Sequence, residues 1–348
     1  MKKILSLLTV IALIAVMLTA CGSKTEEKPA ETTPQTTTEA ATDTVKTGLG
    51  VTTSLDGSAN AAAGTDGIAK AASTVVAVTV DAQGVIDKIV IDQIQSTVNF
   101  DTTGAITSDI TAAVQSKNDL GANYGMAKKS GIGKEWNEQI AAFAAYCEGK
   151  TIDQIMGIAF NAEGAPTDTD LASSVTVSVN YMTYAIKAAV ENAQDLGAKK
   201  GDKLGLAVSG SLSKSAAATK DAAGLAQGYY NFAAVTTDAS GVITSCILNA
   251  VQANVNFDTT GAITTDLTAA PQTKVELGDA YGMKKASSIG KEWYEEAQAF
   301  STYVVGKTAE QVKGIAVDSD SKATDADLKA SVTVSIGGFM ALVAKAAA

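Results

Sequence analysis

The chain has no histidine, and all 27 of its basic residues are lysine, so it has no arginine either. Without histidine there is no Ser-His-Asp or Cys-His nucleophile system, no c-type haem ligation and no histidine zinc site. Cysteine is nearly absent: three in 348 residues, at 21, 147 and 246. No apolar run after the first twenty residues is long enough to span a membrane. Positive charge is also short. Once the leading Lys2 and Lys3 are set aside, 25 lysines face 37 acidic residues, a net charge near −12. Such a body repels nucleic acid and anionic lipid.

What the chain does have begins with an export signal over residues 1–20. Lys2 and Lys3 form its charged start, and Ile4–Leu18 is an apolar run shorter than a membrane span. The run ends in Leu18-Thr19-Ala20-Cys21, which resembles a bacterial lipoprotein cleavage box. This predicts that Cys21 becomes the lipidated first residue of the mature protein. The expected location is the outer face of the cell membrane, held by lipid. Residues 21–45 are rich in Thr, Glu, Pro and Ala and almost free of large apolar side chains. They cannot bury enough surface to offset the entropy of ordering, which predicts a disordered tether. As a coil it would reach roughly 25–30 Å.

The body is duplicated. A shift of 157 positions superimposes Lys46–Glu191 on Lys203–Ala348 without a gap. Asp101-Thr-Thr-Gly-Ala-Ile-Thr107 repeats unchanged at 258–264, and Ile132-Gly-Lys-Glu-Trp136 recurs at 289–293. A repeat of this length is domain-sized and far longer than a solenoid unit. The expected organisation is therefore repeat 1 over 46–191, a polar linker over 192–202, and repeat 2 over 203–348. Cys147 and Cys246 align with Val304 and Ile89 across the repeat, so both cysteines read as core residues.

Each repeat reads as α+β, a small antiparallel sheet with packed helices. Ser73–Val80 and Val85–Ile94 are β-branched runs flanking the turn Asp81–Gly84, the pattern of a hairpin. Lys134–Glu148 carries Trp136, Ile140, Phe143 and Cys147 at helical spacing and stops at Gly149. Thr151–Gln154 and Thr308–Gln311 have capping-box spacing. Val175–Ser178 alternates like a strand, and Asn180–Glu191 returns to helical periodicity.

Function rests on Asp170-Leu-Ala-Ser-Ser-Val-Thr176-Val-Ser178 and its twin Asp327-Leu-Lys-Ala-Ser-Val-Thr333-Val-Ser335. An acidic residue precedes a threonine by six positions, and a helical pattern follows. This layout resembles the attachment motif of the FMN-binding domain family, Asp-x-x-Ser/Thr-Gly-Ala-Thr. In that family a dedicated flavin transferase joins FMN to the threonine through a phosphoester. Here Ser174 and Ser331 stand for the Gly, Val175 and Val332 for the Ala, and Ala330 for a hydroxyl residue.

The resemblance implies FMN on Thr176 and Thr333, two per chain, with Asp170 and Asp327 assisting the transferase. It implies an electron-transfer protein rather than an enzyme. Electrons would pass from a membrane donor such as a quinone-linked dehydrogenase to an extracellular acceptor. A covalent flavin brings its own redox chemistry, so the missing histidines are no obstacle. A second candidate pair is Thr107 and Thr264, each six residues after an aspartate in Asp-Thr-Thr-Gly-Ala-Ile-Thr. The stretch from Tyr124-Gly-Met126 to Trp136, with its twin Tyr281 to Trp293, offers rings to stack on a flavin and lysines to meet its phosphate, or simply core residues. The alternative function is a cofactor-free ligand-binding or structural surface lipoprotein.

Overall fold

The computed structural model describes residues 43–348, which form one compact unit. Cys21, the signal segment and nearly all of the tether lie outside the described residues. Among the described residues no helix is long and apolar enough to cross a membrane.

Each repeat is a three-stranded antiparallel meander. Strands β1 (Lys46–Ser54), β2 (Gly67–Val80) and β3 (Ile86–Phe100) form one sheet in that order. Strands β4 (Lys203–Ser211), β5 (Gly224–Thr237) and β6 (Ile243–Phe257) form the other. The expected hairpin is present: Asp81 Oδ1 accepts from the Gln83 and Val85 amides, both at 2.9 Å, and Gly84 takes φ 77°. That left-handed turn suits glycine.

After each sheet the helices follow in matching order. Repeat 1 has α1 (Lys117–Leu120), α2 (Trp136–Cys147), α3 (Ile152–Met156), α4 (Thr169–Ala172) and α5 (Met182–Glu191). Repeat 2 has α6 (Lys274–Leu277), α7 (Trp293–Val304), α8 (Ala309–Lys313), α9 (Ala326–Lys329) and α10 (Gly337–Ala346). The capping boxes at Thr151–Gln154 and Thr308–Gln311 both form.

The strands of each sheet are buried on both faces. On β2, Val76, Val78 and Val80 join a core with Trp136, Phe143 and Ile186 of the helices. Ala71, Val75 and Ala77 point the other way, into a core that includes Tyr230, Phe232 and Val255 of the second repeat. The order of layers is therefore helices, sheet, sheet, helices. Phe100 and Phe257, equivalent by the 157 shift, stack with centroids 4.1 Å apart and planes 7° apart. Equivalent backbone bonds cross in both directions: Ala61 N–H to Gly261 O and Ala218 N–H to Gly104 O, each 2.8 Å. The repeats face each other about a pseudo-twofold axis.

Two expectations need correction. A domain-sized repeat is expected to fold on its own, but the two repeats, each with its own sheet and helices, share the inner core. The supposed linker is stitched into the fold: Thr47 and Gln194 exchange two backbone bonds of 2.9 Å, and Ala198 is fully buried. Nor is Val175–Ser178 a strand. Its amides are taken elsewhere: Val175 donates to Leu171 O and Thr176 to a side chain of α2, leaving no ladder to join.

Helix α5 lies directly on β1, where Gly48 and Gly50 leave room for its backbone. A Cβ on Gly48 would sit 1.9 Å from Ala189 O, and one on Gly50 2.1 Å from Ala185 O. Gly205 repeats the arrangement against Ala346 O. Gly48→Ala should therefore destabilise by roughly 3 kcal/mol in urea melts, since backbone has to move. Gly131→Ala, with nothing within 4 Å of the added carbon, should stay within about 0.5 kcal/mol of wild type. Equal stabilities for the two variants would refute the close-approach account.

Candidate functional site

Helix α2 gathers the site in repeat 1. Its N-cap, Glu135, accepts the amides of Met126 at 2.8 Å and Ala127 at 3.0 Å, folding the Tyr124-Gly-Met loop back onto the helix start. The capping box between Glu135 and Glu138 closes the same turn. One turn further on, Gln139 is fully buried among apolar neighbours. Its Nε2 donates to Ser130 Oγ at 3.1 Å and Lys134 O at 3.2 Å. Its Oε1 accepts from Thr176 twice, from N–H at 2.8 Å and from Oγ1 at 3.2 Å. One amide thus joins the aromatic-lysine stretch to the threonine segment. Thr176 itself is exposed, just before the last helix of its repeat.

Repeat 2 builds the same junction with a different residue. Glu296, fully buried on α7, accepts Thr333 N–H at 2.7 Å and Val334 N–H at 2.9 Å. Its two oxygens also lie 3.0 and 3.2 Å from Thr333 Oγ1, and Ser287 Oγ donates to it at 2.9 Å. Where repeat 1 places a neutral amide, repeat 2 places a carboxylate with four donors. That set of donors is what allows a charged group to be buried there. Thr333 is half-buried.

Asp170 and Asp327 occupy the first turns of α4 and α9, whose N-caps are Asp168 and Asp325. Both are exposed, and among the described residues neither side chain bonds to its threonine. A carboxylate there favours the helix start and is open to another protein.

The second candidate pair sits in a different place. Asp101 Oδ1 accepts the Thr103 amide and hydroxyl, both at 2.7 Å, and the Ala105 amide at 3.0 Å. These bonds, the Thr103 hydroxyl first, hold its carboxyl below the usual range, and Asp258 repeats the pattern. Gly104 and Gly261 of the same loops pack against the opposite repeat: a Cβ on either would lie 2.7 Å from Asp258 O or Asp101 O. Thr107 donates to Asp66 Oδ2 at 2.6 Å. These loops are turns at the inter-repeat contact.

The rings expected to stack a flavin are occupied by the chain's own lysines. Lys117 Nζ lies 4.8 Å from the Tyr124 ring and 4.9 Å from that of Trp136. Lys274 Nζ sits 4.6 to 4.9 Å from Tyr229, Tyr281 and Trp293 and donates to Tyr229 Oη at 3.0 Å. Burial pushes the Lys274 ammonium down to about 8, while the three ring faces attract its charged form. Trp136 and Trp293 are core residues, 3% and 4% exposed. Cys147 and Cys246 are buried free thiols, as the alignment with Val304 and Ile89 implied.

No protein-family model matches this chain, and no solved structure matches it. A stretch of 42 residues is 48% identical to a chlorophenol reductase of Desulfitobacterium hafniense. That stretch is 12% of this chain and 13% of the reductase. So short a match establishes neither a family nor a fold.

The threonines can be tested against FMN on this geometry. Thr176 fits: the residue is exposed, and its partner Gln139 is neutral. Gln139 Oε1 would keep the Thr176 amide if the hydroxyl were substituted. Thr333 does not fit: its oxygen is within 3.2 Å of both oxygens of a buried carboxylate. The four described surface clefts are lined by other residues. Gln139, Glu296, Lys117 and Lys274 were all missed from sequence. A signal existed for the first two, since both interrupt the apolar stripe of their helix three residues after its tryptophan.

Proposed function

We propose that this protein is a membrane-anchored, extracellular flavin carrier that relays electrons from a membrane donor to an outside acceptor. The reading is carried by one observation: an exposed threonine on the loop before the last helix, its hydroxyl bonded to a neutral buried amide. The attachment balances as a transfer from a flavin dinucleotide. The threonine Oγ–P bond forms, the anhydride bond breaks, a nucleoside monophosphate leaves, and the hydroxyl proton goes to the flavin transferase. Asp170, exposed in the first turn of α4, would meet that transferase. Bound FMN would supply the redox chemistry, while the protein supplies the attachment and an acidic surface that favours cationic or metal-bearing acceptors.

The alternative, a surface lipoprotein without a cofactor, draws on the lysines that fill the aromatic boxes. Co-expression with a flavin transferase separates the two readings. Peptide mass spectrometry should find an FMN adduct on the peptide spanning 170–178, and Thr176→Ala should remove it without unfolding the protein. An adduct at Thr107 or Thr264 would keep the function and move the site. A colourless, unmodified chain would leave the cofactor-free reading.

A further inference from the structure

We infer that the two repeats are unequal toward FMN: Thr176 takes the group, Thr333 does not, and the residue at 139 or 296 decides it. The inference rests on the flavin reading above. The repeats agree at the threonine, at the acidic residue six before it and at the serine two after it. They also agree on the serine contacting the buried residue, Ser130 or Ser287. Ala172 and Ser173 are exchanged for Lys329 and Ala330, and under the hydroxyl itself the acceptor differs, Gln139 in one and Glu296 in the other.

Substitution turns a threonine hydroxyl from a donor into a group with no proton to give, and adds an anionic phosphodiester. Gln139 tolerates both changes. Its Oε1 retains the Thr176 amide, its Nε2 retains Ser130 Oγ and Lys134 O, and it carries no charge. Glu296 tolerates neither. It would lose one of its four donors, and the new anion would start from an oxygen 3.0 and 3.2 Å from its carboxylate oxygens. Like charges held that close repel.

The test uses the full chain co-expressed with a flavin transferase and reads occupancy on the peptides spanning 170–178 and 327–335. In wild type, Thr176 should be modified at least about tenfold more than Thr333, a modest demand on repulsion between two near anions. Glu296→Gln should raise Thr333 to the level of Thr176. It copies the residue repeat 1 already uses, so the fold should accept it. Gln139→Glu, checked for folding by its melt, should lower Thr176. Equal occupancy in wild type, or an adduct on Thr333 alone, would overturn the inference and leave the flavin reading standing. A loaded Thr176 with no gain at Thr333 in Glu296→Gln would overturn the role of Glu296. No adduct in wild type or in Glu296→Gln would overturn both the inference and the flavin reading.

Discussion

Residues 203–348 expressed alone should fail to melt cooperatively as a monomer. The isolated half would keep its outer core, in which Trp293, Phe300 and Val343 pack under the helices. Its inner sheet face would lose its cover. Val208, Tyr230, Phe232, Val255 and Phe257 would all meet water, a contiguous apolar face far beyond what a monomer normally exposes. Tyr230 would also lose two partners from repeat 1, Ser96 Oγ at 2.5 Å and Ala71 O at 3.1 Å. A folded domain has only about 5–15 kcal/mol to lose, and a whole core layer exceeds that. The expected product keeps far-UV helix and strand signal, binds a hydrophobic dye and shows no sharp calorimetric transition. The pseudo-twofold offers one escape, in which two copies of the half pair sheet to sheet. Sedimentation would reveal that dimer. A sharp transition from a monomeric half would sink the shared-core account.

Asp92→Asn should stabilise the protein by about 3 kcal/mol at pH 7 and by almost nothing below pH 4. Asp92 is only 4% exposed on β3, and burial pushes its carboxyl up to about 6. Hydrogen bonds from Ser116 and from the Asn118 and Gln93 amides pull it down without matching the burial. The folded state therefore holds a proton between about pH 4 and 6 that the unfolded chain has released. Stability from this group is present below the unfolded value near 3.8 and is lost as pH rises through about 6. Repeat 2 shows the remedy. At the equivalent position Asn249 Oδ1 accepts the Ala250 amide at 2.8 Å and the Val275 amide at 3.4 Å, with no charge to bury. Urea melts of both proteins at pH 4 and pH 7 test this. A variant no more stable than wild type at pH 7, or an advantage independent of pH, would show that Asp92 is not held against its burial.

The local elements were readable because each depends on residues close in the chain. The Val-Thr alternation with its Asp81–Gly84 turn makes a hairpin wherever it is placed. The capping boxes at Thr151 and Thr308 close within four residues. Ungapped duplication required two equal sheets with matching helices. Each of these is settled by short-range sterics and hydrogen bonds.

Partner choice is different, because it depends on which surfaces meet. Val75–Val80 is apolar on both faces, and periodicity alone does not say that one face meets helices and the other a second sheet. Thr176-Val-Ser alternates as a strand does, yet strand pairing needs a free edge, and the amide of Thr176 had already found Gln139. A glutamine and a glutamate in two copies of one helix look like an ordinary exchange along the chain. Only packing puts each under a threonine hydroxyl, a neutral amide beneath one and a carboxylate beneath the other. The chain by itself determined the elements and their repetition, since local geometry is written in neighbouring residues. The shared core and the unequal surroundings of the two threonines were decided only in three dimensions, because burial and charge act through space.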